Sequence, residues 1–340
     1  MAAPEPIPVS LHGRVFTRSE ALNAGVHPER LRRRDILRVN RGRYRWVGDR
    51  GRRPRSAPHP TAELEGIVRE ISPATADHRA RAMLDAIPDA ALSHTSAAAA
   101  RGWWLPQRIA TEAQVHIARP PHRPPTSRPG VTTHRLALEL EDIAVVDGRR
   151  ATSVERTWLD CAHLFSVDEL TILGDSLVRT PYAWVEERRP AAWTTPGRLE
   201  EQLQRSTGVR GITVARKALS LIRVGSDSPQ ETELRLALIM AGLPEPQLQV
   251  QCWDPECSAH FPATADLGYP QWRIAIHHEG HRHRSEEQLH RDIRRVQAFV
   301  RQGWTNLRFD AVDAAQGFRT AVEQVRRVLS QSPSGVSARR

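Results

Sequence analysis

With 340 residues and 49 Lys+Arg against 39 Asp+Glu, the chain carries a formal net charge of +10, and its length predicts two or three domains rather than one core. No run approaches the ~18–20 continuous apolar residues of a membrane helix. Met1 to Ser10 lack the charged and apolar regions of a signal peptide, and the cysteines, Cys161, Cys252 and Cys257, are too few for a secreted disulfide framework. These features argue against membrane-spanning and disulfide-stapled classes. They predict a cytoplasmic protein with a polyanionic partner, nucleic acid first, because clustered guanidinium groups bind phosphates and release counterions. Lys217 is the single lysine; the richness in Ala, Arg and Pro matches GC-rich codon usage, which discounts the arginine count but not the charge.

Residues 1–50 read as one small unit. Thr17 followed three residues later by Glu20 forms a capping box that opens a short helix ending near Gly25. A second helix is predicted from His27 to Arg34, carrying Arg30, Arg32, Arg33 and Arg34. Ile36 to Val39 and Tyr44 to Val47 then flank the turn signal Asn40-Arg41-Gly42 as a basic hairpin with Arg41, Arg43 and Arg45. Two short helices and a hairpin suggest a winged helix-turn-helix whose second helix enters a major groove of double-stranded DNA while the hairpin arginines touch phosphates. The unit resembles the N-terminal winged-helix module of AbiEi-type type IV antitoxins. The blander reading is a protein-contact domain with a solvated basic face.

A basic Pro/Arg linker occupies residues 51–60, and a mixed α/β middle region spans 61–226. There the patterns predict a helix from Thr95 to Gly102, a strand from Ala113 to Ala118, strands either side of Asp147-Gly148, and helices from Ser153 to Leu164 and Val167 to Val178. Leu92-Ser93-His94 before the first of these helices, and Thr152-Ser153 with Arg156 to Asp160 later, resemble the middle of antitoxin-like actinobacterial proteins. Within it His94 reads as a helix cap and Asp160 as a surface or hydrogen-bonded residue, with no catalytic constellation.

Residues 227–330 are the most legible. A helix is predicted from Pro229 to Ala241, strands near Gln247–Cys252, His260–Leu267 and Arg273–Glu279, a helix from Ser285, a strand from Trp304 to Phe309 and a last helix from about Ala314 to Leu329; a tail, 331–340, follows. The whole chain is therefore expected to be an α+β multidomain protein ending in an α-β-β-β-α-β core. Ser228-Pro229 with Glu231 and Arg235, Ala265-Asp266-Leu267, Glu279-Gly280 with His283, Arg291-Asp292 with Arg295, and Gly303-Trp304 leading into Arg308 resemble the very-short-patch-repair-like endonucleases of the PD-(D/E)XK superfamily. That resemblance implies a restriction-endonuclease-like fold and a metal site of Glu231, Asp266 and Glu279 holding Mg²⁺ or Mn²⁺, with His277 and His283 assisting. Phosphodiester hydrolysis needs hard oxygen ligands that hold such a cation while it activates water.

The pattern also departs from the family. The third-strand motif reads His277-His278-Glu279 with no lysine in the module, and an imidazole in place of a carboxylate favours softer ions over Mg²⁺. Each site residue has a second reading: Glu231 as part of a helix cap at Ser228, Asp266 and Glu279 as turn formers. Cys252, Cys257 and His260 hint at zinc, but their spacing is irregular and a reduced hairpin loop is the stronger reading. Two functions follow from the same residues: a metal-dependent DNA endonuclease, or a catalytically silent DNA-binding regulator of the antitoxin kind with a cognate toxin as a further partner.

Overall fold

The computed structural model describes residues 7–8, 11, 16–32, 36–40, 43–46, 87, 89–110, 114–126, 128–182, 186, 189, 191–257, 262–279 and 286–331. It is a mixed α/β chain whose contacts divide it into two units, Met1–Asp160 and Cys161–Arg340. The division falls inside the stretch read from sequence as one middle region. Inside the second unit, Asp175 accepts from Arg235 and from the Arg223 amide, and Arg223 in turn donates to Glu245. Among the described residues no helix is long and apolar enough to cross a membrane.

The first unit opens with β1 (Phe16–Thr17), α1 (Arg18–Asn23), β2 (Ile36–Asn40) and β3 (Arg43–Trp46). The Thr17–Glu20 capping box forms in both directions, and the strands pair antiparallel in the order β1-β3-β2. Phe16, Ala21, Val26, Leu31 and Ile36 fill the core beneath them. Where the second helix is expected, Pro28–Arg32 form a five-residue 3₁₀ turn, and Arg33 and Arg34 lie outside the described residues.

The same unit continues with β4 (Ala91–Leu92), α2 (His94–Ala100), α3 (Gln107–Ala110), β5 (Val115–Arg119), β6 (Val131–Arg135), β7 (Ile143–Val146), β8 (Arg149–Thr152) and α4 (Val154–Cys161). Strands β6-β5-β4-β8-β7 form one sheet in that order, with β5 and β6 parallel and β7–β8 a hairpin turned by Asp147-Gly148, both at positive φ. Strand β6 had no signal in the sequence, being half-buried and Thr-rich beside a proline-rich loop. Asp160 is buried and hydrogen-bonded: Arg156 Nε donates to it at 2.8 Å, Arg156 Nη1 reaches Asp142 at 3.3 Å, and burial pushes Asp160 up to about 6.

The second unit comprises α5 (Val167–Val178), α6 (Pro196–Arg205), α7 (Ile212–Leu221), α8 (Pro229–Met240), β9 (Gln247–Cys252), β10 (Ala263–Tyr269), β11 (Ile274–Glu279), α9 (Glu286–Arg301), β12 (Thr305–Asp310), α10 (Ala311–Ala315) and α11 (Arg319–Gln331). From α8 onward the order is helix, three strands, helix, strand and two helices. The sheet runs β12-β11-β10-β9, antiparallel except for the parallel β11–β12 pair. One face carries Leu267, Ile274, Ile276, Leu307 and Phe309 against Leu234, Leu238 and Val325 of the flanking helices and Phe318 of the turn between the last two; the other carries Val250, Ala265 and Ala275 against Ala298 and Phe299 of α9. The last helix starts at Arg319, five residues later than expected. Gly317 and Phe318 sit at positive φ and separate it from α10.

Candidate metal and nucleic-acid site

Ser228 caps α8, its Oγ accepting the Glu231 amide at 3.2 Å, with Pro229 at the first helical position. Glu231 reaches back: Oε1 accepts from Ser228 Oγ and Oε2 from the Asp227 amide, each at 2.9 Å. The cap reading of Glu231 is therefore correct, with Asp227 rather than Ser228 giving the backbone hydrogen. The same carboxylate is nonetheless buried next to Asp266 of β10, and burial followed by that neighbouring charge raises its pKa well above the usual carboxylate range.

Asp266 sits where β10 and β11 part. The ladder between them runs Tyr269↔Ile274, Gly268↔Ala275 and Leu267↔Ile276 and goes no further. At the next step the His278 amide donates to Asp266 Oδ2 at 2.7 Å. Across the sheet, Gln249 of β9 lies at φ 50, breaking the alternation of the strand that faces Asp266. Burial raises the Asp266 pKa, the guanidinium of Arg295 and the His278 amide oppose the rise, and Asp227 and Asp292 add to it.

Asp227 is the third carboxylate and had no place in the sequence reading. Tyr182 Oη donates to its Oδ2 at 2.5 Å and Gln249 Nε2 at 3.1 Å, while Arg179 lies 3.8 Å from its Oδ1. Burial raises its pKa as well. The signal available was only an acidic residue directly before a Ser-Pro helix start, and its electrostatic meaning depends on β10 being folded alongside.

His277 points to the α9 face, its ring edge-on to Phe299, and is 1% exposed. Asn306 Oδ1 accepts from Nε2 at 3.1 Å, so Nδ1 carries the lone pair, and it is buried without a hydrogen-bond partner among the described residues. Burial and then Arg295 lower the His277 pKa to about 4. It is a neutral imidazole with a bare nitrogen, not a proton carrier at neutral pH. Glu279 turns toward β12 and pairs with Arg308; Arg295 itself pairs with Asp292 at 3.2 Å.

Of the residues expected at a metal centre, Glu231 and Asp266 thus come together, Glu279 is engaged by Arg308, and His283 lies outside the described residues, as do His281 and His260. Cys252 is buried, with Ala298 O 3.9 Å from its Sγ, and both it and Cys257 are free thiols. Of the arginines expected on DNA, Arg33, Arg34 and Arg41 lie outside the described residues, and for Arg32, Arg43 and Arg45 only the backbone is described. Arg30 is a correction: its side chain is 8% exposed, buried with the core of its unit, and so is not offered to a phosphate. No family model, no curated protein and no solved structure matches this chain.

Proposed function

We propose that the chain is a DNA-binding protein whose C-terminal helix-and-sheet core is a divergent, divalent-metal-dependent endonuclease. The observation that carries this reading is the convergence of Glu231 from α8 and Asp266 from the parting of β10 and β11, with Asp227 alongside, in a buried group of carboxylates with raised pKa values. Crowded acids with too little countercharge are what a hard cation relieves. Mg²⁺ or Mn²⁺ suits oxygen donors.

Glu231 and Asp266 would hold the cation, with Asp227 adding charge. A bound cation supplies Lewis acidity and a more acidic water for phosphodiester hydrolysis. The protein's own contribution is positional. Ser228 and the Asp227 amide fix Glu231, the His278 amide fixes Asp266, and Arg295 aligns with Asp266 from α9. The N-terminal helix, 3₁₀ turn and hairpin are read as a winged helix that, with the net charge of +10, supplies affinity for double-stranded DNA.

A second reading has its own support. Arg295 beside Asp266 and Arg308 on Glu279 place guanidinium groups where a cation would otherwise be needed, which suits a silent scaffold in a DNA-binding regulator with a toxin partner.

Plasmid cleavage assayed across Mg²⁺, Mn²⁺ and Zn²⁺ separates the two. Metal-dependent nicking that disappears in Asp266→Ala supports the nuclease. Salt-sensitive duplex binding with no cleavage in any metal supports the regulator, and metal-independent cleavage sinks both.

A further inference from the structure

Away from the carboxylates, the first unit gathers imidazoles from three places in its sheet. In the parallel β5–β6 pair His116 lies opposite Thr132 and His134 opposite Ala118, so the two histidines share a face as diagonal neighbours. His116 Nδ1 and His134 Nε2 are 2.9 Å apart. His94 follows β4, the next strand, whose Leu92 pairs with Ile117. Its ring stacks on that of His134 with centroids 3.7 Å apart, and lies 5.6 Å from that of His116.

His94 is not the expected helix cap. Ser93 holds the cap position without a side-chain cap bond, and His94 is the first helical residue at φ 51. That left-handed backbone is unfavourable for a side chain with a Cβ. It is adopted at a site where the ring is 2% exposed and packed on two other imidazoles, and a strained residue held by its surroundings is a mark of function.

We propose that His94, His116 and His134 form a binding site for one transition-metal dication of the Zn²⁺ class. Neutral imidazole is a preferred ligand of such ions and a poor one for Mg²⁺. Two nitrogens on one tetrahedral Zn²⁺ with Zn–N near 2.1 Å stand about 3.4 Å apart. His116 Nδ1 and His134 Nε2 stand 2.9 Å apart, and a His94 nitrogen lies within 4.8 Å of one on His134. Ser93 Oγ lies 2.9 Å from His94 Nδ1; with the metal bound it would accept the hydrogen on that nitrogen and direct Nε2 to the ion, the outer contact that ligating histidines use to fix tautomer and orientation. Water or a substrate atom completes the coordination, and the site is independent of the Asp266 cluster.

The test uses the full chain, stripped with EDTA and titrated with Zn²⁺ and with Co²⁺ as a spectroscopic substitute. One saturable equivalent with the Co²⁺ absorption of a nitrogen-ligated ion is expected, whatever the oxygen-ligated Asp266 cluster takes up. His94→Asn, chosen because Asn tolerates the left-handed backbone, and His134→Gln, on the half-exposed edge strand, should each weaken binding by at least ~10-fold, whereas Asp266→Asn leaves it unchanged. In the wild-type chain, Zn²⁺ should block diethyl pyrocarbonate modification of the peptide carrying His134, the half-buried ring of the three, a readout that does not depend on any variant folding. Absence of a saturable equivalent, equal binding in both histidine variants, or unaltered modification with Zn²⁺ present would overturn the site and leave a hydrogen-bonded histidine stack.

Discussion

The His278 amide donates to Asp266 Oδ2 at 2.7 Å, so the carboxylate takes the place of the next rung of the β10–β11 ladder. The bond has two effects. It satisfies a backbone donor that the parting of the strands would leave bare, and it fixes a charged oxygen beside Glu231.

Those effects separate by substitution. Asp266→Asn keeps an acceptor for the His278 amide and removes a charge from a crowded acidic group, so it should be neutral or stabilising in urea unfolding. Asp266→Ala orphans a partly buried N–H and should cost about 1–3 kcal/mol. Both should abolish metal-dependent cleavage. Equal stability of the two variants would contradict the rung assignment.

Arg235 of α8 is fully buried and donates to Asp175 of α5 at 2.7 Å, with Thr232 Oγ1 and the Arg223 amide also donating to that aspartate. Removing the cation alone, Arg235→Met, strands a buried carboxylate and should cost about 3–5 kcal/mol. Adding Asp175→Asn neutralises the stranded group while keeping one acceptor oxygen for either the Arg223 amide or Thr232 Oγ1. The double variant should be less destabilised than the sum of the singles, and strict additivity in chemical denaturation would refute the coupling.

Stability should respond to pH in two opposed ways. Glu231, Asp227 and Asp175 have pKa values raised on folding. They bind protons more tightly when folded, so their contribution is fully present below the unfolded carboxylate values near pH ~4 and is lost as pH rises through the raised values. His277 is lowered to about 4. Its contribution is fully present above its unfolded value of ~6.5 and is lost as pH falls toward 4, at up to about 1.4 kcal/mol per pH unit. Relative to wild type, Glu231→Gln should gain stability as pH rises, and His277→Gln should gain it as pH falls below ~6.5. Parallel profiles for wild type and both variants would count against this assignment.

Gly268 of β10 lies where a Cβ would run into the Ile274 carbonyl of β11 and come within 3.3 Å of Val250 Cγ2. The obstacle is backbone in a hydrogen-bonded ladder, which does not yield as a flexible side chain would. Gly268→Ala should destabilise by at least about 1–3 kcal/mol, read as a lowered urea midpoint with unchanged slope. A wild-type midpoint would mean that the strands part more easily than their pairing implies.

Much of this protein is decided locally and is therefore legible in its sequence. Thr17 with Glu20, Ser228-Pro229 and Asp147-Gly148 each satisfy or redirect the backbone within a few residues, and the helix and hairpin ends they mark appear where expected. The period-two pattern of Ile274, Ile276 and Ala275 likewise declared the two faces of β11. What tertiary structure alone decided was the partner of each charged or imidazole group. The sequence placed Glu231, Asp266 and Glu279 together; the parallel β11–β12 register sets Arg308 beside Glu279, and the loop before α8 adds Asp227 near Asp266. Arg30 counted toward a basic surface until folding buried it. His94, His116 and His134, spread over forty residues of chain, meet only because β4, β5 and β6 lie side by side. Electrostatic and metal-ligating partnerships depend on distance in space, which in a sheet is set by strand order and register and leaves no trace in local spacing.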